Sequence, residues 1–299
     1  EGGAALDDLA EPAVDAPSPP LLAVIEMRCV AAECHFQLAH LDDVRAPLDL
    51  LAAPDCPVET PLRLRIHAVH AAWLLACGRF AEAEAAAAHG ARDLEVQGTS
   101  PSTAGPEPTA CFLAHAMHGR LALHIGEPAK ALQAFERALV FAPTNAGVTG
   151  LSVMCRRMLT PDDKDGRQLL EWARERLEAA RGRFEEGKGH DPTRNTTRQS
   201  LMESFRLAAE AFQSARKAQS LEPPRSWLDR LLRRPASEPR AVLAQAAHLR
   251  LMALLMLGWD ECARAWMAET LDAVSKAHDA EPATFSTALA EVRAAYSSL

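Results

Sequence analysis

Residues Ala114–Pro143 read AHAMHGRLALHIGEPAKALQAFERALVFAP. Apolar residues recur at helical spacing on both sides of Gly126, and Pro143 stops the second run. Small residues stand where two helices must touch: Gly119 on the first, Ala131 and Ala138 on the second. Phe135 supplies the one large plug. A glycine between two such runs predicts a tight turn, and therefore a hairpin of two antiparallel helices. The same plan recurs along the chain, and recurrence at this period is the mark of a helical-repeat array.

The neighbouring hairpin is predicted over Leu62–Cys77, turn Gly78-Arg79-Phe80, and Ala81–Leu94, with Ala83 and Ala87 as small contact residues. A loop rich in Gly, Ser, Thr and Pro follows, Gln97–Pro108. The last hairpin is predicted over Ala241–Leu257, turn Gly258-Trp259, and Asp260–Ala277, with Asp260 as a capping candidate. A closing helix follows at Thr284–Ser297, which covers the apolar face that a terminal repeat exposes. Between these lie a helix Ala146–Leu159 with Asn145 as N-cap, a long helix Asp165–Glu186, and a helix Leu201–Ser220. The polar stretch near 188–200 reads as an insertion at a turn, and Arg225–Arg240 as a basic segment. Ahead of them, Leu21–His40 and Asp43–Ala53 form a degenerate first hairpin. The organisation expected is a Pro-rich tail or linker over 1–20, a first array of repeats over 21–160, and a second over 161–299 with the insertion and the closing helix.

Composition agrees with helix. Of 299 residues 48% are hydrophobic but only 5% aromatic, so the core must be built by close helix contacts through Ala and Gly. The net charge of −8 and pI near 5.8 argue against a DNA binder and make RNA a weak expectation, although Arg is enriched between about Asp162 and Arg240. Seven cysteines, an odd number without a Cys-x-x-Cys, read as buried free thiols of a reducing, cytoplasmic setting. Apolar runs such as Leu249–Leu257 are too short to span a membrane, and the start Glu1-Gly-Gly carries no signal-peptide pattern.

Gly119, Gly126, Ala131, Phe135, Ala138, Leu139 and Pro143 resemble the tetratricopeptide repeat residue by residue. Gly78, Phe80 and Ala83 match it in the hairpin before, and Gly258, Ala263 and Leu271 in the last. The resemblance implies an all-α fold, a right-handed superhelix of antiparallel helical hairpins with a concave groove. The stretch Glu178–Gly187 (EAARGRFEEG) is also similar to the repeat region of tetratricopeptide co-chaperones that carry a J domain, whose partners are Hsp70 and Hsp90. The chaperone-tail clamp of that family is not retained. Leu177 and Arg181 stand at two of its positions in the fourth hairpin and Leu249 at an Asn position in the last. No His-Pro-Asp triplet of a J domain occurs in the chain.

If the first helix of each hairpin lines the groove, the candidates for peptide binding are Arg65, Ala72, Leu75, Leu113, Arg120, Leu123, Arg174, Arg181, Met252 and Leu255. Arginine would grip a carboxylate by two hydrogen bonds, and the apolar members would take an amphipathic partner helix or an extended peptide. Among the arginines Arg120 is the strongest; Arg174 could equally pair with Glu178 on its own helix. His67 and His70 recur as His115 and His118, a spacing compatible with a metal site but more simply read as core positions, so no metal or other cofactor is expected. No phosphate loop, nucleophile elbow or His-Glu-x-x-His occurs. The sequence therefore points to a non-catalytic protein-interaction scaffold, a chaperone adaptor or a subunit of a larger assembly. An RNA-associated repeat protein, or an enzyme whose site lies on flanking domains, stand as alternatives.

Overall fold

A glycine follows three of the apolar helical runs, and in a computed structural model of the chain each ends its helix in the same way. Gly78, Gly126 and Gly258 have φ of 69, 86 and 72°, the left-handed region that costs glycine nothing. Gly126 N–H donates to Leu123 O at 3.0 Å and Glu127 N–H to Ala122 O at 2.8 Å; Leu75 and Leu74, and Leu255 and Leu254, accept in the other two turns. This paired pattern satisfies the last carbonyls and reverses the chain within three residues. The flanking helices consequently lie antiparallel.

The structure describes residues 60–97, 108–160, 165–191, 194–222 and 238–299, together with single helical positions between 27 and 48. The expected hairpin over Leu21–Ala53, the Gln97–Pro108 loop and the basic segment Arg225–Arg240 lie largely outside them. All regular structure among the described residues is helical. In chain order the helices are α1 (Thr60–Ala76), α2 (Phe80–Gln97), α3 (Pro108–His124), α4 (Pro128–Phe141), α5 (Ala146–Leu159), α6 (Asp165–Gly187), α7 (Asn195–Ser220), α8 (Glu238–Leu257), α9 (Asp260–Ala280) and α10 (Pro282–Ser298).

Local chemistry explains most boundaries. Asn145 caps α5 by accepting from Val148 N–H at 3.0 Å, as its sequence position predicts. Pro128 opens α4 at its first turn, where a missing N–H is harmless. Asp260 does not cap α9: Trp259 holds the N-cap position and makes no side-chain cap, since an indole has no acceptor for the first-turn N–H groups; its ring is buried in the core, 2% exposed. The expected insertion near 188–200 is shorter than its polar letters suggest. α6 runs to Gly187 and α7 begins at Asn195, six residues ahead of Leu201, because Thr197 and Arg198 are buried against the rest of the molecule.

Each helix packs on its chain neighbour, and α1 on α3, α5 on α7, α6 on α8 and α8 on α10. Gly119 and Phe135 meet as read from the sequence: the ring is fully buried, and a Cβ on Gly119 would lie 2.5 Å from it. Two further contacts depart from simple succession, α3 on α7 and α1 on α9. The chain curls until its first and last described hairpins meet. A Cβ at Gly78 would lie 3.0 Å from Glu261 O and 3.1 Å from Ala265 Cβ.

α7 runs through this curl. Every residue from Leu207 to Ala215 is buried, so the helix meets protein on all sides. Its polar side chains serve other helices. Gln213 Nε2 donates to His124 O at the end of α3 (3.1 Å), Ser204 Oγ to Ala180 O of α6 (2.9 Å), and Arg198 Nη1 reaches Leu257 O at the end of α8 (3.5 Å). The open trough expected from the sequence is taken up by the chain itself over this length. α8 is the one helix among the described residues long and apolar enough to cross a membrane, since Ala-rich turns extend the apolar run toward its N-terminus; 61% of that window is buried inside the protein.

Candidate functional site

Beside α7, along Thr196 to Glu210, a cavity of about 980 Å³ remains. α1 contributes Ala72 and Leu75 to its wall, α3 contributes Phe112, Leu113, Met117, Arg120 and Leu123, and α7 supplies the opposite side with Met202, Glu203, Phe205, Arg206 and Glu210. Five residues chosen from sequence thus meet here: Ala72, Leu75, Leu113, Arg120 and Leu123. Leu113 is 59% exposed on the rim, whereas Leu123 is 2% exposed in the wall. The volume is of the size that encloses a small molecule or a few side chains of a partner.

The other five lie elsewhere. Arg65 is an exposed residue of α1 away from the cavity. Arg174 is paired with Glu238 at the start of α8. Arg181 donates to Glu178 at 2.7 Å and to Gln245 of α8 at 2.8 Å. Both arginines therefore tie α6 to α8. Met252 and Leu255 pack against the hydrophobic core. The repeat pattern assigns a face within each hairpin, but the pairing of α6 with α7 and α8 turns these faces toward other helices.

The polar end of the cavity is a cluster of charges. Arg206 donates through Nε to Glu203 at 2.7 Å and also pairs with Glu210. Arg176 Nε lies 3.5 Å from Glu210 Oε2, and its guanidinium stacks 4.4 Å over the Trp172 ring. Burial drives the Glu210 carboxyl above its usual range, against the pull of Arg206, Arg176 and Arg120. The hydrogen bond from Arg206 holds Glu203 below its usual range.

Arg120 differs from its neighbours. Its charge feels Arg206, Glu210, Glu203 and Arg176, yet it makes no hydrogen bond or ion pair with any described residue, and its Nε is buried without a partner. Burial and then Arg206 push its guanidinium below the ordinary arginine value. Glu203, Arg206 and Glu210 were not legible as site residues, although their spacing puts them on one face of α7.

The four recurrent histidines do not converge. His70 stacks on Trp73 at 6.1 Å, His115 on Phe141 at 5.9 Å, and His118 Nε2 lies 3.1 Å from Glu84. No group of three His, Cys, Asp or Glu side chains is placed to hold a metal among the described residues. Burial pushes the thiols of Cys155 and Cys262 up to about 12, which suits inert core cysteines rather than nucleophiles.

No family model, curated protein or solved structure matches the chain.

Proposed function

We propose that this chain is a non-catalytic protein-interaction module, a tetratricopeptide-like array of helical hairpins that takes a short apolar segment of a partner protein into the cavity between α1, α3 and α7. The observation that carries the reading is the cavity itself: about 980 Å³, walled by Leu75, Phe112, Met117, Met202 and Phe205, with Leu113 exposed on its rim. Two methionines in the wall suit a surface that adapts to the side chain it receives. The superhelical plan expected of the repeats belongs to the same reading, with α7 taking up part of the concave side.

Catalysis is the weaker reading. A buried carboxyl raised above its usual range is the kind of group that acid–base chemistry uses. At Glu210, however, both oxygens face guanidinium groups, those of Arg206 and Arg176. The cavity's histidine, His124, is buried among aromatic rings.

Panning a random dodecapeptide library displayed on phage against the protein tests the proposal. Peptides with clustered apolar residues are expected to enrich, and the enrichment is expected to vanish with Leu113→Asp, an exposed position whose change leaves the fold intact. An unenriched library, or enrichment indifferent to Leu113→Asp, contradicts it.

A further inference from the structure

The charge cluster made by Arg120, Glu203, Arg206 and Glu210 of the cavity wall and by Arg176 behind Glu210 does not balance. On α3 stands Arg120; on α6, Arg176; on α7, Glu203, Arg206 and Glu210. Three guanidinium groups thus face two carboxylates. Arg183, which also lines the cavity, is matched separately by Glu186 at 2.9 Å. Both carboxylates of the cluster are held by Arg206, and Glu210 also faces Arg176. The positive charge left over sits on Arg120, the member with no partner within bonding distance. A partly buried cation without a counter-ion is destabilising, and the penalty is relieved when a carboxylate arrives with geometry for two hydrogen bonds.

We infer that Arg120 sets the specificity of this cavity, and that the partner segment it takes carries an acidic side chain, Asp or Glu, among its apolar residues. The inference rests on the interaction-module reading and adds the chemistry of what enters. Apolar side chains of the segment rest on Leu75, Phe112 and Met117, while its carboxylate meets the free edge of the Arg120 guanidinium. The same surplus charge excludes a segment with Lys or Arg at that place, because a second cation would be desolvated beside Arg120 and Arg206. The remaining wall favours a peptide over an alkyl chain: Thr196 and Gln199 on α7 line the cavity, are exposed, and offer donors and acceptors to a main chain. An alkyl chain would leave both without use.

The experiment is the same dodecapeptide panning, run on wild type, Arg120→Gln and Arg120→Glu, each checked for helical content and unfolding midpoint. The best peptides are then synthesised with both ends blocked, so that the side-chain carboxylate is the only one present, and titrated. Wild type is expected to enrich peptides with an acid at one fixed place relative to the apolar residues. Arg120→Gln keeps the apolar preference, loses the acidic one, and binds the acidic peptide about tenfold or more weakly. Arg120→Glu shifts the preference to Lys or Arg at that place, a reversal that loss of folding cannot produce. Apolar enrichment without an acid in wild type, or an acidic preference that survives Arg120→Gln, overturns the inference and leaves the interaction module standing. No apolar enrichment at all overturns both. Dodecanoate is titrated alongside; if it binds in an Arg120-dependent way while no acidic peptide is selected, the occupant is a fatty carboxylate and the assignment to a protein segment is overturned.

Discussion

Gly119 of α3 faces the Phe135 ring of α4, and the fit leaves no room for a methyl group. A Cβ there would stand 2.5 Å from Cε1 and 2.6 Å from Cδ1 of a ring that is fully buried and cannot retreat. Gly119→Ala is therefore expected to destabilise by about 1–3 kcal/mol, although alanine is the better helix former. Gly182 of α6 supplies the opposite case. It is exposed, and a Cβ there would meet nothing within 4 Å. Gly182→Ala is expected to stabilise by about 0.5–1 kcal/mol through helix propensity alone. Urea midpoints of the two variants should move in opposite directions; a rise for Gly119→Ala would mean that the α3–α4 contact is looser than described. The Gly119–Phe135 fit was readable in advance because both residues belong to one hairpin, where spacing along the chain dictates who meets whom. The same holds for Asn145, whose bond to Val148 spans three residues. The partners of Arg174 and Arg181 were not readable for the converse reason: Glu238 and Gln245 lie on a helix that the local pattern cannot place.

Among the elements, α7 carries the most that sequence did not reveal. Its first turns, Asn195–Ser200, have the letters of a loop, yet Thr197 and Arg198 are buried. Only tertiary packing makes that stretch helical. The element it braces, α3, ends at His124, with Gln213 of α7 bonded to the His124 carbonyl. The imidazole is enclosed by Phe80, Phe205 and Trp266 at centroid distances of 6.3, 4.8 and 5.4 Å. Burial, and secondarily the Arg250 guanidinium, push it from 6.5 down to about 3. The unfolded chain takes up this proton near 6.5 and the folded chain does not. Stability from the neutral ring is thus complete above about pH 6.5 and falls as pH drops below it, by about 1.4 kcal/mol per unit at the limiting slope. Urea unfolding between pH 7 and about pH 5 should show this slope, and His124→Phe should flatten it by one proton while leaving stability at pH 7 unimpaired. His248, held below its usual value chiefly by burial, retains its own part. An unchanged slope in His124→Phe would mean that the α3 end is open to water.

For the molecule as a whole, the point at issue is closure. Repeats that stack only on their neighbours leave the two ends of an array apart, whereas here α9 packs on α1 and the first turn rests on the start of α9. Arg250 reinforces that end of the curl. It is fully buried, with its guanidinium 4.4 Å from the Phe212 ring and 4.1 Å from the Trp266 ring, and it donates to Glu269 at 3.1 Å. Trp266 in turn lies 4.7 Å from Phe80 of α2. The periodicity of the hairpins was legible from Gly78, Gly126 and Gly258, because each turn is made by a few adjacent residues. The meeting of α2 with α9 was not, since Phe80 and Trp266 are far apart in the chain and no local pattern relates them. Closure also shapes the candidate site, because the cavity exists where α1, α3 and α7 are drawn together. A double-mutant cycle between Phe80→Ala and Trp266→Ala, followed by urea unfolding, measures that contact directly. A coupling energy of about 1 kcal/mol is expected if the two hairpins meet as described. Additivity of the two substitutions to within about 0.3 kcal/mol would show that the ends stand apart.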